Sequence, residues 1–302
     1  MKYQDKIFKS NFFMIIYLSV SSLFPESLFR WPTEHKDFSD KLTSLFGESR
    51  GDHFHNGVDI STVNQPVMSL KEGEILYSSY AEDRPFENPP GPGNSVWVYH
   101  GNGILSAYYH LRDGRNKNIL EKQKVASGEI IGFSGNTGHS GGAHLHFVVA
   151  DKFGKRIIDP LTMLSAVKDS MAPVISSLMI YVGDRFTNIN DGDYINLSSN
   201  FPLVVRIADA GEKKFQNRGI KKAEYILNGE LLKKARFDSL VFKDGKWMNL
   251  EGLTYDDLYF KDDYLVGAPG LRSGENSIKI MAEDYSGNKS ERTFVFYVNR
   301  TK

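Results

Sequence analysis

The stretch GGAHLHFVVA, residues 141–150, places His144 and His146 one residue apart at the head of an apolar run. The run is rich in strand formers, and the period of two in a strand turns both imidazoles to one face. Half-exposed strands tolerate histidine, so this pair alone does not separate a working site from an incidental one. Two other segments bear on it. In FHNGVDIS, residues 54–61, His55 and Asp59 stand four apart. Gly57, Val58 and Ile60 disfavour a helix there, so a turn running into a strand is expected. Local hydrogen bonding within the turn accounts for that motif as readily as ligation does. SAYYHLRDG, residues 106–114, adds His110 at the end of an aromatic run.

Composition narrows the chemistry. Among 302 residues there is no cysteine, so disulfides, thiolate metal sites and a cysteine nucleophile are excluded, and any metal must be held by nitrogen and oxygen. Thirty-seven basic and 37 acidic residues cancel, so no overall field draws the chain to nucleic acid or an anionic membrane. All eight histidines lie at or before His146. This asymmetry predicts two domains of different character, with the chemistry in the first. One histidine and one carboxylate from one segment, plus a histidine from a second, make three N/O donors. That is the inventory of a catalytic zinc site with water in the open fourth position, whereas structural zinc more often takes four ligands, typically with cysteine.

Residues 65–150 alternate short β-type runs with glycine turns and predict an antiparallel β core. Residues 82–94 and 135–142 read as surface loops. The second lacks the Gly-Lys-Ser/Thr ending of a phosphate-cradling loop. Asp159 and Pro160 start a helical turn that closes this part. After Pro173 β-type runs resume, with Asn228-Gly229 as a hairpin signal and Ser286-Gly287-Asn288 as a second turn. A β-sandwich of immunoglobulin or fibronectin type III kind is expected there. At the N-terminus, Lys2, Lys6 and Lys9 precede an apolar run from Phe12 to Phe24. Residues 1–24 therefore read as a signal peptide or, alternatively, an uncleaved anchor, and the protein as exported to the periplasm, cell envelope or extracellular space.

Taken together, FHNGVDIS, YYHL, GEIIGFSGNTGHSGGAHLHF and DPLTML resemble the lysostaphin/LytM-type zinc metallopeptidases, which cut peptide bonds in bacterial peptidoglycan. The resemblance runs from about Trp31 to Leu164. It implies a peptidase domain over 25–168, ahead of a β-sandwich domain over 172–302. It also implies one Zn2+ per chain on His55, Asp59 and His146, with His110 and His144 as catalytic residues beside it, and peptidoglycan peptides as substrate. His53 is then a rim residue. Asn94, Asn136 and Tyr109 are expected as polar contacts in the groove, and Ala143 stands where many relatives carry proline. Because some members of the family have lost ligands and act as wall-binding activators, a catalytically quiet binder is the alternative function. The role of the C-terminal domain stays open among wall binding, recruitment of an envelope protein partner, covering the site and spacing it. Arg50-Gly51-Asp52 spells an adhesion tripeptide, read here as coincidence because it abuts the metal motif.

Overall fold

The computed structural model describes residues 29–83, 85–86, 91–116, 121–212 and 218–301. The expected signal or anchor segment lies outside the described residues. Among the described residues no helix is long and apolar enough to cross a membrane. The protein is mainly β, and its sheets are antiparallel apart from one parallel pair. The first ten strands are β1 (Leu42–Ser44), β2 (Val58–Ser61), β3 (Pro66–Met68), β4 (Gly73–Ser79), β5 (Asn94–Tyr99), β6 (Ile104–Leu111), β7 (Lys124–Val125), β8 (Ile130–Phe133), β9 (His144–Asp151) and β10 (Arg156–Ile158). All but β3 and β8, which pair with each other, join one large sheet.

The 141–150 stretch becomes the central strand of that sheet, β9, flanked by β6 and β2. Its alternation follows the burial. Leu145, Phe147 and Val149 are fully buried among Val58, Ile60, Val96, Val98 and Tyr108, while His144 and His146 point to the opposite face. The FHNG turn can reach β9 only because residue 57 is glycine: a Cβ there would lie 2.3 Å from the carbonyl oxygen of Phe147. As the sequence suggests, Asp159 opens a short turn, Pro160–Thr162, and its Oδ1 accepts from the backbone N–H of Leu161 at 3.0 Å.

In the second half, β11 (Val174–Val182), β12 (Arg185–Ile189), β14 (Leu203–Ala208), β19 (Tyr259–Phe260) and β20 (Asp263–Gly267) form one sheet. A second sheet holds β13 (Tyr194–Leu197), β15 (Lys222–Leu227), β16 (Glu230–Arg236), β21 (Gly274–Glu283) and β22 (Lys289–Arg300), with β13 parallel to β22. Asn228 and Gly229 both take positive φ, 51° and 90°, which is the geometry of the tight β15–β16 hairpin. One hairpin departs from this pair of sheets. Strand β17 (Ser239–Lys243) pairs with β10, and β18 (Lys246–Met248) pairs with β17, so the histidine-bearing sheet continues into the second half of the chain.

The two halves share a core as well as a sheet. Phe54 and Ile157 from the first pack with Phe237, Leu240 and Tyr259 from the second. Phe237 is fully buried, edge-on to Phe54 at 6.3 Å between ring centroids, a contact worth about 0.5–1.5 kcal/mol beyond its buried area. The hydroxyls of Tyr285 and Tyr259 donate to the carbonyls of Phe46 and Gly47.

Two stability predictions follow from these contacts. A chain ended after Ser170 exposes Phe46, Phe54 and Ile157 and loses the β10–β17 pairing. It is expected to bind a hydrophobic dye and to lose the cooperative thermal unfolding of the full chain, as calorimetry would show. The second concerns Asp159, which is fully buried with no hydrogen-bond partner for Oδ2 among the described residues; burial pushes its carboxyl up to about 7. Below pH about 4 the folded and unfolded chains both hold that proton, and between about 4 and 7 only the folded chain does. Stability therefore falls as pH rises through this window and levels off above it, by on the order of a few kcal/mol. Asp159→Asn keeps the Leu161 hydrogen bond and should lack this fall when unfolding is followed against pH.

Candidate metal centre

Antiparallel pairing of β2 with β9 sets Asp59 directly opposite His146, and the turn before β2 folds His55 over the same point. The three donor atoms converge: His55 Nε2 and His146 Nδ1 are 3.0 Å apart, His146 Nδ1 and Asp59 Oδ1 2.7 Å, and His55 Nε2 and Asp59 Oδ1 3.1 Å. A tetrahedral ion with bonds of about 2.0–2.1 Å places its ligands about 3.3 Å apart, so the three atoms need open by only a few tenths of an ångström.

Proton positions strengthen the fit. His55 Nδ1–H donates to the carbonyl of Leu45 at 2.7 Å, and His146 Nε2–H donates to Asn56 Oδ1 at 2.9 Å. A carbonyl oxygen can only accept, so each ring holds a proton on the outer nitrogen and, when neutral, turns a lone pair inward. Two lone pairs and a carboxylate oxygen thus face one another, an arrangement that calls for a cation. Burial lowers His146 to about 4, leaving it in the neutral form that binds metal. Asp59 presents Oδ1 to both rings. Its other oxygen, Oδ2, accepts from Arg50 Nη2 at 2.6 Å, and Arg50 Nη2 also donates to Ser44 Oγ at 2.9 Å.

His110 and His144 stand beside this cluster, with ring centroids 4.8 Å apart. His144 Nε2 is 3.6 Å from Asp59 Oδ1. The Nδ1–H of His110 donates to Thr137 O at 2.8 Å, and that of His144 donates to Gly142 O at 2.7 Å, so that in the neutral ring each Nε2 offers a lone pair. Burial lowers the pKa of His110, favouring the neutral ring. His110 owes its aim to a bulge. Between the pairs Asn94↔Leu111 and Val96↔Tyr108, β6 holds two residues, Tyr109 and His110, against Ser95 alone. His110 takes φ of 59°, an uncommon conformation for a non-glycine residue, and conformations of this kind cluster at functional sites.

The cluster lies in a cavity of about 560 Å³, bordered by Arg50, His53, Asn56, Gly91, Pro92, Tyr109, His139, Ser140 and Gly141. Parts of both expected loops thus reach it. Tyr109 stacks on His146 at 5.5 Å, and exposed His53 sits on the rim. Two expected groove contacts are corrected. Asn94 is buried and tied to Ala81 N and Asp113 Oδ1, because its amide holds two loops together. Asn136 is exposed and outside the cavity lining. Sequence reading passed over Asn56, Ser44 and Arg50. Only the adjacency of Asn56 to His55 hinted at the first, and the other two are brought in by the turn. His100 is a satisfied interior histidine, bonded to Glu72 O and Ser106 Oγ.

Another acidic group, Asp169, Asp209 and Asp284, comes close enough to hold an ion, but Arg218 lies among the carboxylates, 3.1 Å from Asp169 and 3.5 Å from Asp209. Protein charge already occupies that place.

An antiparallel β groove with an open three-donor site and two further histidines is the architecture of a metallopeptidase domain. Residues 53–160 match the model of peptidase family M23. A second family model matches residues 172–299. Peptidoglycan DD-endopeptidase ShyA of Vibrio cholerae is 37% identical over 95 residues, 31% of this chain and 19% of that protein. Glycyl-glycine endopeptidase ALE-1 of Staphylococcus capitis is 26% identical over 192 residues, 62% of this chain and 50% of that one. The chain thus spans half or less of the length of both. A crystal structure of a zinc-containing peptidase from Vibrio cholerae aligns over 47% of this chain and 41% of that one, at 26% identity and a TM-score of 0.36.

Asn56→Ala frees the outer nitrogen of His146. Losing such a supporting hydrogen bond typically weakens metal affinity by about 10–100-fold, and competition with a chelator should show this with the fold unchanged.

Proposed function

We propose that the protein is a zinc-dependent endopeptidase that hydrolyses peptide bonds in peptidoglycan cross-links or stem peptides. The observation that carries this reading is the inward convergence of His55 Nε2, Asp59 Oδ1 and His146 Nδ1 beside two imidazoles with free Nε2 atoms. The donor set suits one Zn2+ per chain. Bound there, the ion would supply Lewis acidity toward the scissile carbonyl and toward its attacking water.

The side chains do the rest. His110 or His144 takes a proton from the attacking water as its oxygen bonds the carbonyl carbon. That proton then passes to the amide nitrogen as the C–N bond breaks, releasing an amine and a carboxylic acid that gives up its remaining proton to solvent. The other imidazole, in its protonated form, donates to the developing oxyanion. Arg50 fixes Asp59 through Oδ2, leaving Oδ1 for the ion. All five residues of the set are present, which favours the enzyme over the quiet wall-binding alternative. Since the relatives are named as peptidoglycan and glycyl-glycine endopeptidases, action at the cell envelope by an exported protein belongs to the same proposal.

His146→Ala is expected to abolish both tight zinc binding and cleavage. His144→Ala should keep stoichiometric zinc while lowering turnover by about 10²–10⁴-fold. Metal analysis alongside mass spectrometry of fragments released from peptidoglycan checks both; loss of zinc from His144→Ala would overturn the division of roles.

A further inference from the structure

A second cavity, of about 280 Å³, opens next to the metal cluster and shares His53, Phe54 and Asn56 with its lining. Its far side comes from the second half of the chain: Leu240, Lys246, Trp247, Thr254, Tyr255 and Asp256. The strand register makes the floor continuous. His146 and Ala150 share a face of β9; Ala150 pairs with Ile157, Ile157 with Leu240, and Phe242 with Trp247. Residues directly paired, or two apart on a strand, share a face, so Trp247 lies on the same side of the sheet as the ligand His146. A peptide that passes the metal cluster toward residues 53–56 therefore runs onto the β17–β18 hairpin.

The chemistry of this cavity is specific. Trp247 and Tyr255 are half-buried, and Tyr255 is held in place by Ser49 Oγ at 2.5 Å and by the Phe54 ring, edge-on at 5.5 Å. Lys246 and Asp256 are exposed at its edge, and among the described residues neither is ion-paired to another side chain. Asp52 adds a second carboxylate. An aromatic floor with an ammonium and carboxylates at its edge complements a peptide segment that carries both a free carboxylate and a free amine.

We propose that this cavity is a substrate subsite, in which the second half of the chain reads the amine- and carboxylate-bearing flank of the peptide being cut. Lys246 pairs with the carboxylate, Asp256 with the amine, and Trp247 covers the aliphatic stem. The proposal rests on the endopeptidase reading above, and its test separates the two.

The probe is cross-linked peptide dimer released from peptidoglycan, used as isolated, after carboxyl amidation and after amine acetylation, with the full-length chain. Lys246→Glu and Trp247→Ala should each raise KM for the native dimer about tenfold, with kcat within about twofold. Amidation should raise the wild-type KM by a similar factor and cancel the effect of Lys246→Glu; acetylation should do the same for Asp256→Asn. In a His144→Ala background, where cutting is slowed enough to follow binding, calorimetry should read the same tenfold changes in Kd. Lys246→Glu lies at an exposed position, so it keeps the test valid should Trp247→Ala unfold. Cleavage with wild-type KM in the variants, or equal losses on native and modified dimers, would overturn the subsite alone. Dimer binding that follows this pattern without any cleavage would support the subsite and overturn the endopeptidase reading. Neither binding nor cleavage would overturn both.

Discussion

Asp59 stands opposite His146 because β2 and β9 pair in one register, and a slip of one residue would send one of them into the core. That register is held from behind by Val58, Ile60, Leu145 and Phe147, all fully buried. Apolar burial on one face of two strands thereby specifies the geometry of polar atoms on the other. Gly57 completes the arrangement, since any side chain there would hold the His55 turn away from β9.

A cluster of acceptors is costly to assemble without a cation, and the surroundings manage that cost in an ordered way. Each ligand histidine gives its proton to an outer acceptor, and Arg50 neutralises the outer oxygen of Asp59. Arg50 also settles the Arg-Gly-Asp tripeptide. Its guanidinium faces the carboxylate of the metal motif and Ser44, and that engagement is a sufficient reason for an arginine at this position.

Three segments of the sequence hold the five polar residues that the fold brings together, but strand period and turn spacing left each motif open, and their reading as one set came from the family resemblance. The antiparallel sheet, the hairpin at Asn228-Gly229 and the turn at Asp159 are local, carried by residues adjacent in the chain. What stayed hidden is non-local. The bulge that aims His110 depends on the partner strand β5, and the outer acceptors Leu45 O, Thr137 O and Gly142 O are backbone atoms that leave no trace in composition. Asn94 misled because a polar residue at the edge of a glycine-rich loop looks the same whether it faces a groove or staples the loop. Strands β17 and β18 read as part of the C-terminal β-sandwich because nothing in their alternation says which sheet they join.

The second half of the chain reaches the metal cluster through one loop. Between β1 and β2, four consecutive residues are held: Phe46 O by Tyr285, Gly47 O by Tyr259, Glu48 Oε1 by Gly219 N–H, and Ser49 Oγ by Tyr255 and Asp262, after which Arg50 turns to Asp59. Glu48 in turn accepts from Ser44 Oγ, which lies 3.2 Å from His55 Nδ1. The side chains beside Asp59 and His55 therefore belong to a loop that the other half of the molecule holds. With β10 paired to β17 as well, the halves are coupled through both a sheet and the loop that supports the site. Movement of one against the other would have to break backbone pairing, draw Phe237 out of its place against Phe54, and release Glu48 and Ser49 together. The second half thus braces the loop that supports the candidate site and walls the cavity next to it.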